Sequence, residues 1–224
     1  MKKSIWIIAA VLAGVLLAAC GSGGDTNDEQ LPQATPTELV VEEADARTFQ
    51  IVADESEARF LINEVLLGQD KTVIGINHDI SGAFAVNFDQ PDNLVVGTIE
   101  VDAASFVTDD DRRNGAIRRF ILEASQAGNE TITFVVEEVE GAPETAQVGV
   151  TYPVTLNGQL TVHGVTQPVA FEGEVTIVNQ DRIEGLLTTS VFYNDFDISI
   201  PSVSFVAEVS ETVILEFDFV AVAE

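Results

Sequence analysis

Apart from carboxylates, few side chains in this 224-residue chain could act as nucleophiles, general bases or metal ligands. Only His78 and His163 could supply a neutral imidazole, and neither lies in a set of residues with metal-binding spacing. The single thiol, Cys20, is near the N-terminus, and no G-x-S-x-G nucleophile elbow occurs. The 37 acidic residues are too many for any pair to stand out. The sequence therefore predicts no catalytic residues, no metal and no cofactor, so a protein that is not an enzyme.

Four arginines, Arg112, Arg113, Arg118 and Arg119, form the most distinctive charged cluster. A guanidinium can hold a phosphate through two parallel hydrogen bonds, which makes Arg112 and Arg113 candidates for binding a ligand's head group. The alternative is that the cluster pairs with the nearby acids, Asp109, Asp110, Asp111 and Glu123, on a solvated helix. The sequence leaves both interpretations open.

The elements that must position these side chains are mostly short segments of alternating apolar and polar residues, which begin near Arg47. Period-2 alternation rich in Val, Ile, Thr and Phe is typical of half-buried strands. We predict ten strands: Thr48–Val52, Ala58–Val65, Thr72–Ile76, Gly82–Phe88, Leu94–Val101, Thr131–Val139, Val154–Val162, Val169–Val178, Ile183–Tyr193 and Val213–Val220. This number is enough for an all-β barrel or sandwich.

One stretch, Asp109–Leu122, predicts a short helix between two strand regions. Thr108 is placed to cap its first turn, with Asp111 three residues later. One side of this helix is apolar and can cover an opening or flank of a barrel, through Ala116, Ile117, Phe120 and Ile121.

Apolar rows on several strands must face a common interior. The candidate lining residues are Phe60, Ile62, Phe84, Val86, Phe88, Phe134, Leu156, Leu160, Phe171, Val175, Leu215 and Phe217. Periodicity does not show whether this interior is filled with side chains or hollow, because a barrel of about eight strands can be either. A filled interior predicts a structural or interaction module of the cell envelope, and a hollow one predicts a carrier.

The N-terminus has the features of an export signal. Lys2 and Lys3 precede an apolar stretch, Ile5–Leu17, that is too short for a comfortable membrane span. Leu17-Ala18-Ala19-Cys20 followed by Gly21 resembles the lipobox of bacterial lipoproteins, which implies cleavage after residue 19 and acylation of Cys20. The alternative is a plain secretory signal with a chance Cys. If the segment is a lipobox, the sequence predicts a membrane-anchored lipoprotein on the extracytoplasmic side of the cell envelope.

Residues 20–46 combine Gly, Ser, Pro, Thr and acids, a composition that predicts a flexible acidic tether before the folded domain of residues 47–224. Removing residues 1–19 takes two lysines and no acid, so 8 basic residues face 37 acidic ones, a net charge of about −29. Such a charge excludes nucleic acid as a partner. Membrane attachment must come from the acyl chains.

Several motifs in the folded part resemble one family. Leu160–Val169 reads LTVHGVTQPV and resembles the "LTxxGVTxxV" signature of the YceI-like, polyisoprenoid-binding family of lipocalin-like proteins. Val73–Gly82 is similar to that family's strand leading into "SG", and Thr108 with Arg112 and Arg113 resembles its Thr-then-Arg segment. Ile132–Phe134 matches its "ITF" strand, and Val213–Phe217 matches its last strand. The likeness runs from about Arg47 to Val222.

The resemblance implies an extended antiparallel barrel of about eight strands with one short helix, whose lumen binds an isoprenoid or other long-chain lipid. It places Gly158 inside a strand and the turn at His163–Thr166, although Asn157-Gly158 by itself favours a hairpin turn. Asn114 follows Arg113 where the family commonly has Asp, and the helix carries Arg118 and Arg119 where the family has a His. The sequence does not predict the oligomeric state.

Overall fold

The computed structural model describes residues 45–201 and 206–224, with side chains in the last strand described from residue 208. The predicted signal peptide, Cys20 and nearly all of the predicted tether lie outside these residues. Two small regions of the domain, 202–205 and the side chains of 206–207, lie outside them as well.

In the part of the chain that the structure describes, twelve strands form one antiparallel sheet. They are β1 (Arg47–Ile51), β2 (Glu57–Leu66), β3 (Gln69–Asn77), β4 (Ile80–Ser81), β5 (Ala83–Val86), β6 (Val95–Val96), β7 (Ile99–Asp102), β8 (Thr131–Glu140), β9 (Thr151–Val162), β10 (Val165–Asn179), β11 (Arg182–Phe192) and β12 (Val206–Ala223). The all-β class predicted from the alternation is confirmed.

The twelve strands belong to eight longer runs of chain. β1 and β2 follow the same edge of β12, interrupted by the short 3₁₀ turn Ala53–Glu55, and β3 to β5 run back along them. β4 and β5 also pair with β7 and β6. The remaining runs, β8 to β12, each pair with their neighbours in sequence, starting from β7. The last run pairs with the first, so the sheet curls round into an eight-run barrel.

The observed strands refine the predicted ones where the alternation is broken. The predicted strand Leu94–Val101 is two strands, β6 and β7. β12 begins at Val206, seven residues earlier than predicted, because an irregularity in its pairing with β2 between Val209 and Val213 interrupts the period-2 pattern. Asn157 and Gly158 lie inside β9, as the family resemblance predicts. A Cβ at Gly158 would overlap the carbonyl oxygen of Val135 on the neighbouring strand.

The predicted helix is present but begins and ends differently. It consists of α1 (Asp111–Ala116) followed by a π-helical turn, Ile117–Ile121. The prediction that Thr108 caps it is wrong: Asp110 is the cap, and its carboxylate accepts hydrogen bonds from the backbone N–H groups of Arg112 and Arg113. Thr108 instead donates its hydroxyl to Asn114.

The π turn also changes which helix residues are buried. The backbone N–H of Leu122 bonds to the carbonyl of Ile117 five residues earlier, and the side chains of both residues are buried. Phe120, predicted on the apolar side, is therefore 64% exposed. Two further short 3₁₀ turns are Pro91–Asn93 and Tyr193–Phe196. Among the described residues, no helix has both the length and the apolar character needed to cross a bilayer.

Candidate functional site

The two ends of the barrel are different. Successive runs are antiparallel, so the connections 67–68, 103–130 and 163–164 and residues 193–201 lie at one end, which we call the upper end. The connections 87–94, 141–150 and 180–181, together with Arg47, lie at the lower end. The helix belongs to connection 103–130 and so lies at the upper end.

The upper half of the barrel is hollow. A cavity of about 770 Å³ lies between the strands, the helix and the turn Tyr193–Phe196. Its wall is mostly apolar, and charged residues of β2, β12 and the helix segment, among them Glu64, Asp110, Arg112, Arg113 and Glu208, add a few polar groups. A volume of this size, with apolar walls and few polar groups, is typical of a small-molecule binding site.

The lower half is largely filled by phenylalanine rings. Phe49 stacks on Phe84 with ring centres 5.4 Å apart and on Phe88 at 6.0 Å, and Phe84 meets Phe219 edge-on at 6.4 Å. A small cavity of about 120 Å³ lies beside them. The interior is therefore both filled and hollow, at opposite ends.

The residues predicted from the alternation are divided between these two cavities. Those that line the large cavity alone are Phe60, Ile62, Phe134, Leu160, Phe171 and Leu215. Those that line the small cavity alone are Phe84, Val86, Phe88 and Val175. Leu156 and Phe217 line both. All twelve face the interior, but four of them lie in the largely filled half.

A thin apolar partition separates the cavities. Four residues contribute to the wall of both: Ile99, Leu156, Leu187 and Phe217. Leu187 is buried at 1% exposure and Phe217 at 9%. This side-chain layer therefore sets the depth of the large cavity.

Several lining residues were not predicted. Some lie on strands, among them Val73, Val101 and Leu187, and others come from the irregular connections at the upper end, where no period-2 pattern exists: Phe106, Leu122, Tyr193, Phe196 and Ile198. For these last five, apolar character within polar loops was the only signal that could have found them. Ala116, Ile117 and Ile121 do line the cavity, on the side of the helix predicted to cover an opening.

Ion pairs fix the helix against the edge of the large cavity. Arg113 donates to Glu64 at 3.1 Å and to Asp109 at 2.5 Å, and Lys71 donates to Asp109 at 2.8 Å. The Glu64 side chain is 10% exposed and that of Arg113 21%, so their pair is partly shielded from water. Arg113 is therefore already occupied by two carboxylates.

The other arginines of the cluster differ from Arg113. Arg118 donates to the carbonyl of Ala104 at 2.9 Å. Arg112 is exposed and lines the large cavity, and its guanidinium makes no hydrogen bond or ion pair with the described residues. Of the two predicted head-group residues, Arg112 alone could bind a phosphate without breaking an ion pair with a carboxylate.

The same contacts favour the ionised form of two carboxyls. Hydrogen bonds from Lys71 and then Arg113 lower the pKa of Asp109 below its ordinary value of 3.8. Hydrogen bonds from the backbone N–H of Arg113, and less strongly of Arg112, lower the pKa of Asp110 below the same value. Both groups therefore remain anions well into acid.

His163 is a turn residue, as predicted, and it links three connections of the upper end. It lies at φ +53° in the two-residue turn between β9 and β10. Its Nδ1 is 3.3 Å from the carbonyl oxygen of Phe196, and its Nε2 is 3.2 Å from Glu123. His78 binds the carbonyl of Ser56 through Nδ1. No group of three or more potential metal ligands occurs among the described residues.

Fold and site together define a class of protein: a curled antiparallel barrel of the lipocalin-like type with an apolar internal cavity. The sequence matches the model of the YceI-like domain over residues 49–221, and the chain belongs to this family. Comparison with curated proteins finds no match.

Solved structures share the fold at low sequence identity. A polyisoprenoid binding domain from Saccharophagus degradans, described as implicated in plant cell wall breakdown, superposes with a TM-score of 0.58 at 17% identity, covering 79% of this chain and 98% of its own. BcnA from Burkholderia cenocepacia gives a TM-score of 0.57 at 18% identity, covering 76% and 98%. The YceI protein of Campylobacter jejuni gives 0.52 at 18% identity, covering 67% and 84%.

Proposed function

We propose that this protein binds a long apolar lipid of the isoprenoid type in the large cavity and acts as a carrier or reservoir without catalysing a reaction. The observation that carries the proposal is the apolar cavity of about 770 Å³ in the upper half of the barrel. Burying an apolar chain there is favourable by about 25 cal/mol per Å² before association costs are subtracted. The polyisoprenoid-binding member of the same fold from Saccharophagus degradans supports this ligand class.

A lipid in this cavity would place its tail against the apolar walls and its head near Arg112. An isoprenyl phosphate would gain a charge-assisted hydrogen bond from that guanidinium. An uncharged isoprenoid would use the walls alone. In both cases the protein supplies shape and burial, and no step of bond making or breaking is needed.

Native mass spectrometry of the full chain purified from its own cells tests the proposal. We expect one retained lipid per chain in the wild type. Two neighbouring variants on β12 sharpen the test: Leu215→Trp fills the cavity and should lose the lipid, whereas Ile214→Trp changes an exposed outer residue and should keep it. Lipid-free wild type, together with no isoprenoid binding by delipidated protein, would favour a structural or interaction module.

The second part of the proposal is the location: a lipoprotein of the cell envelope, anchored by acyl chains on Cys20 on the extracytoplasmic side. The support is the lipobox-like Leu17–Cys20 segment. Mass analysis of the mature N-terminal peptide should find Cys20 as the first residue, carrying acyl chains. A Cys20→Ser variant should be released from the membrane fraction, and an unmodified Cys20 would contradict the anchor.

A further inference from the structure

The turn between β2 and β3 places an apolar residue in a conformation that apolar residues rarely adopt. Leu66 and Gln69 are paired, so the turn consists of Leu67 and Gly68 alone. Their φ angles are +51° and +78°, which is the pattern of a type I′ turn. Gly is preferred at the first position because it lacks a Cβ, and Asn or Asp because its short polar side chain can hydrogen-bond locally, which leucine cannot do.

Among the residues that the structure describes, none makes a contact with Leu67 that would offset this strain. Leu67 is 78% exposed, the highest value among the large apolar side chains that the structure describes. His163 is the informative contrast, since it occupies the same position of the same kind of turn at φ +53°. Its ring is held by hydrogen-bonding distances to Phe196 and Glu123, which can offset the strain. Strain without such compensation in the fold indicates a functional role.

The position of the turn suggests what that role is. Glu64 of β2 and Lys71 of β3 face each other and bind Arg113 and Asp109 of the helix segment that borders the cavity. Leu67 lies three residues beyond Glu64, about 10 Å further along the strand. Leu66 beside it lines the large cavity. The turn therefore lies at the edge of the cavity, beyond the level of the ion pairs.

We propose that this hairpin tip inserts Leu67 into the interfacial region of a lipid bilayer and so brings the cavity to the membrane surface. The identity of the ligand in the cavity rests on the proposed function, whereas the docking of the tip to a bilayer is argued from the β2–β3 hairpin alone. A bilayer is the occupant that fits, because an exposed leucine gains by entering the acyl boundary. A bilayer is also the place from which the protein would take up a water-insoluble ligand.

Charge at the upper end agrees with a bilayer partner. Of the eight basic residues beyond residue 19, five belong to β3 near the hairpin tip or to the helix: Lys71, Arg112, Arg113, Arg118 and Arg119. The guanidinium of Arg112 has no partner among the described residues and is available to a lipid phosphate. The acids Asp70, Asp109 and Asp111 lie close by, so a zwitterionic surface suits this end better than an anionic one.

The proposed anchor is compatible with this orientation. β1 begins at the lower end of the barrel with Arg47, 27 residues after Cys20. A fully extended chain of 27 residue steps reaches roughly 90 Å at most, whereas the 18 residues of β12 extend about 60 Å. Insertion of one leucine is weak by itself, but an anchor keeps the tip at high local concentration.

Bromolipid quenching of the full, anchored chain in phosphatidylcholine vesicles tests the docking directly. A Leu67→Trp variant should show a blue-shifted indole emission that brominated phosphatidylcholine quenches. Leu186→Trp is the matched control, because Leu186 is an exposed apolar residue on the outer face of β11. Trp6 is removed with the predicted signal peptide, so the introduced tryptophan is the only one in each anchored variant. Equal quenching of the two would overturn the proposal, as would a blue shift that depends on protein concentration without vesicles.

A second variant separates docking from folding and from ligand binding. Leu67→Asn places a preferred residue in the type I′ turn, so we expect the Tm to rise by about 2–4 °C. Transfer of a fluorescent isoprenoid alcohol from phosphatidylcholine vesicles should slow by about tenfold, with unchanged affinity in detergent solution. Unchanged transfer would overturn the docking proposal. If the wild type binds no isoprenoid, the proposed function is overturned. The quenching experiment then still shows whether the hairpin tip enters the bilayer.

Discussion

Phe60 and Gly75 face each other across the β2–β3 hairpin, and the Phe60 ring occupies the space that a Cβ on Gly75 would need. The same ring lines the large cavity and packs 5.5 Å from Phe106. The missing side chain at Gly75 thus leaves the space in which the Phe60 ring lies against the facing strand. Gly185 and Phe219 repeat the arrangement in the lower half of the barrel.

A Gly75→Ala variant should therefore narrow the cavity. The new methyl group forces the Phe60 ring away from β3, with an expected loss of about 1–3 kcal/mol in the free energy of unfolding and weaker ligand binding. Urea unfolding and lipid titration measure both effects. Gly115→Ala is the control: nothing lies near its Cβ position in α1, and it should stabilise by about 0.5–1 kcal/mol. Unaltered binding by G75A would show that the ring does not shape the site.

The partition between the cavities predicts a determinant of ligand length. Leu156→Ala removes a half-buried side chain that lines both cavities, so we expect them to join and to admit a longer isoprenoid. The variant should lose about 2–5 kcal/mol of stability. Competition binding with isoprenoid alcohols of increasing length measures the preference. Leu160→Ala is the control, because Leu160 lines the large cavity alone. The same preference for ligand length in both variants would contradict the role of the partition.

The lowered pKa values of Asp109 and Asp110 predict acid sensitivity of the helix segment. A carboxyl with a folded pKa below its unfolded value contributes its full stability above about pH 4–5 and loses it as the pH falls through the folded value. An Asp109→Asn variant should therefore be less stable than the wild type at pH 7, with a difference that closes below pH 3.8. Asp110→Asn should differ less at pH 7, because Asn also caps helices. Thermal unfolding from pH 7 to pH 2 measures this, and a gap that widens in acid would reverse the assignment.

The two candidate head-group arginines should behave differently. Arg113→Ala leaves the partly buried Glu64 without its partner and should destabilise the protein by about 1–3 kcal/mol. Arg112→Ala removes an exposed guanidinium with no described partner and should leave stability within about 0.5 kcal/mol. We expect R112A to weaken binding of an isoprenyl phosphate but not of the uncharged isoprenoid alcohol. Calorimetric titration with both ligands checks this, and equal affinity of R112A and wild type for the phosphate would reject the head-group role.

Much of the fold could be predicted from local pattern. Alternation along segments such as Thr131–Val139 and Val154–Val162 is a strong signal because a half-buried strand must present apolar residues at every second position. The signature around His163-Gly164 fixed the β9–β10 turn against the competing Asn157-Gly158 signal. The helix boundaries were less predictable, since the Thr108 hydroxyl donates to the side-chain oxygen of Asn114, six residues later, and Asp110 accepts from the first turn instead.

By itself, then, the sequence determined the strands, their inward faces and the twelve candidate lining residues, because these follow from the geometry of a single strand. Only the tertiary structure decided that Phe84 and Phe88 lie in a largely filled half while Phe60 and Phe134 border a cavity. That difference depends on how rings from separate strands meet across the barrel: Phe84 stacks on Phe49, 35 residues away in sequence, and meets Phe219 edge-on, 135 residues away. Packing between residues so far apart in sequence leaves no periodic trace, so periodicity could predict the faces of the barrel but not the space between them.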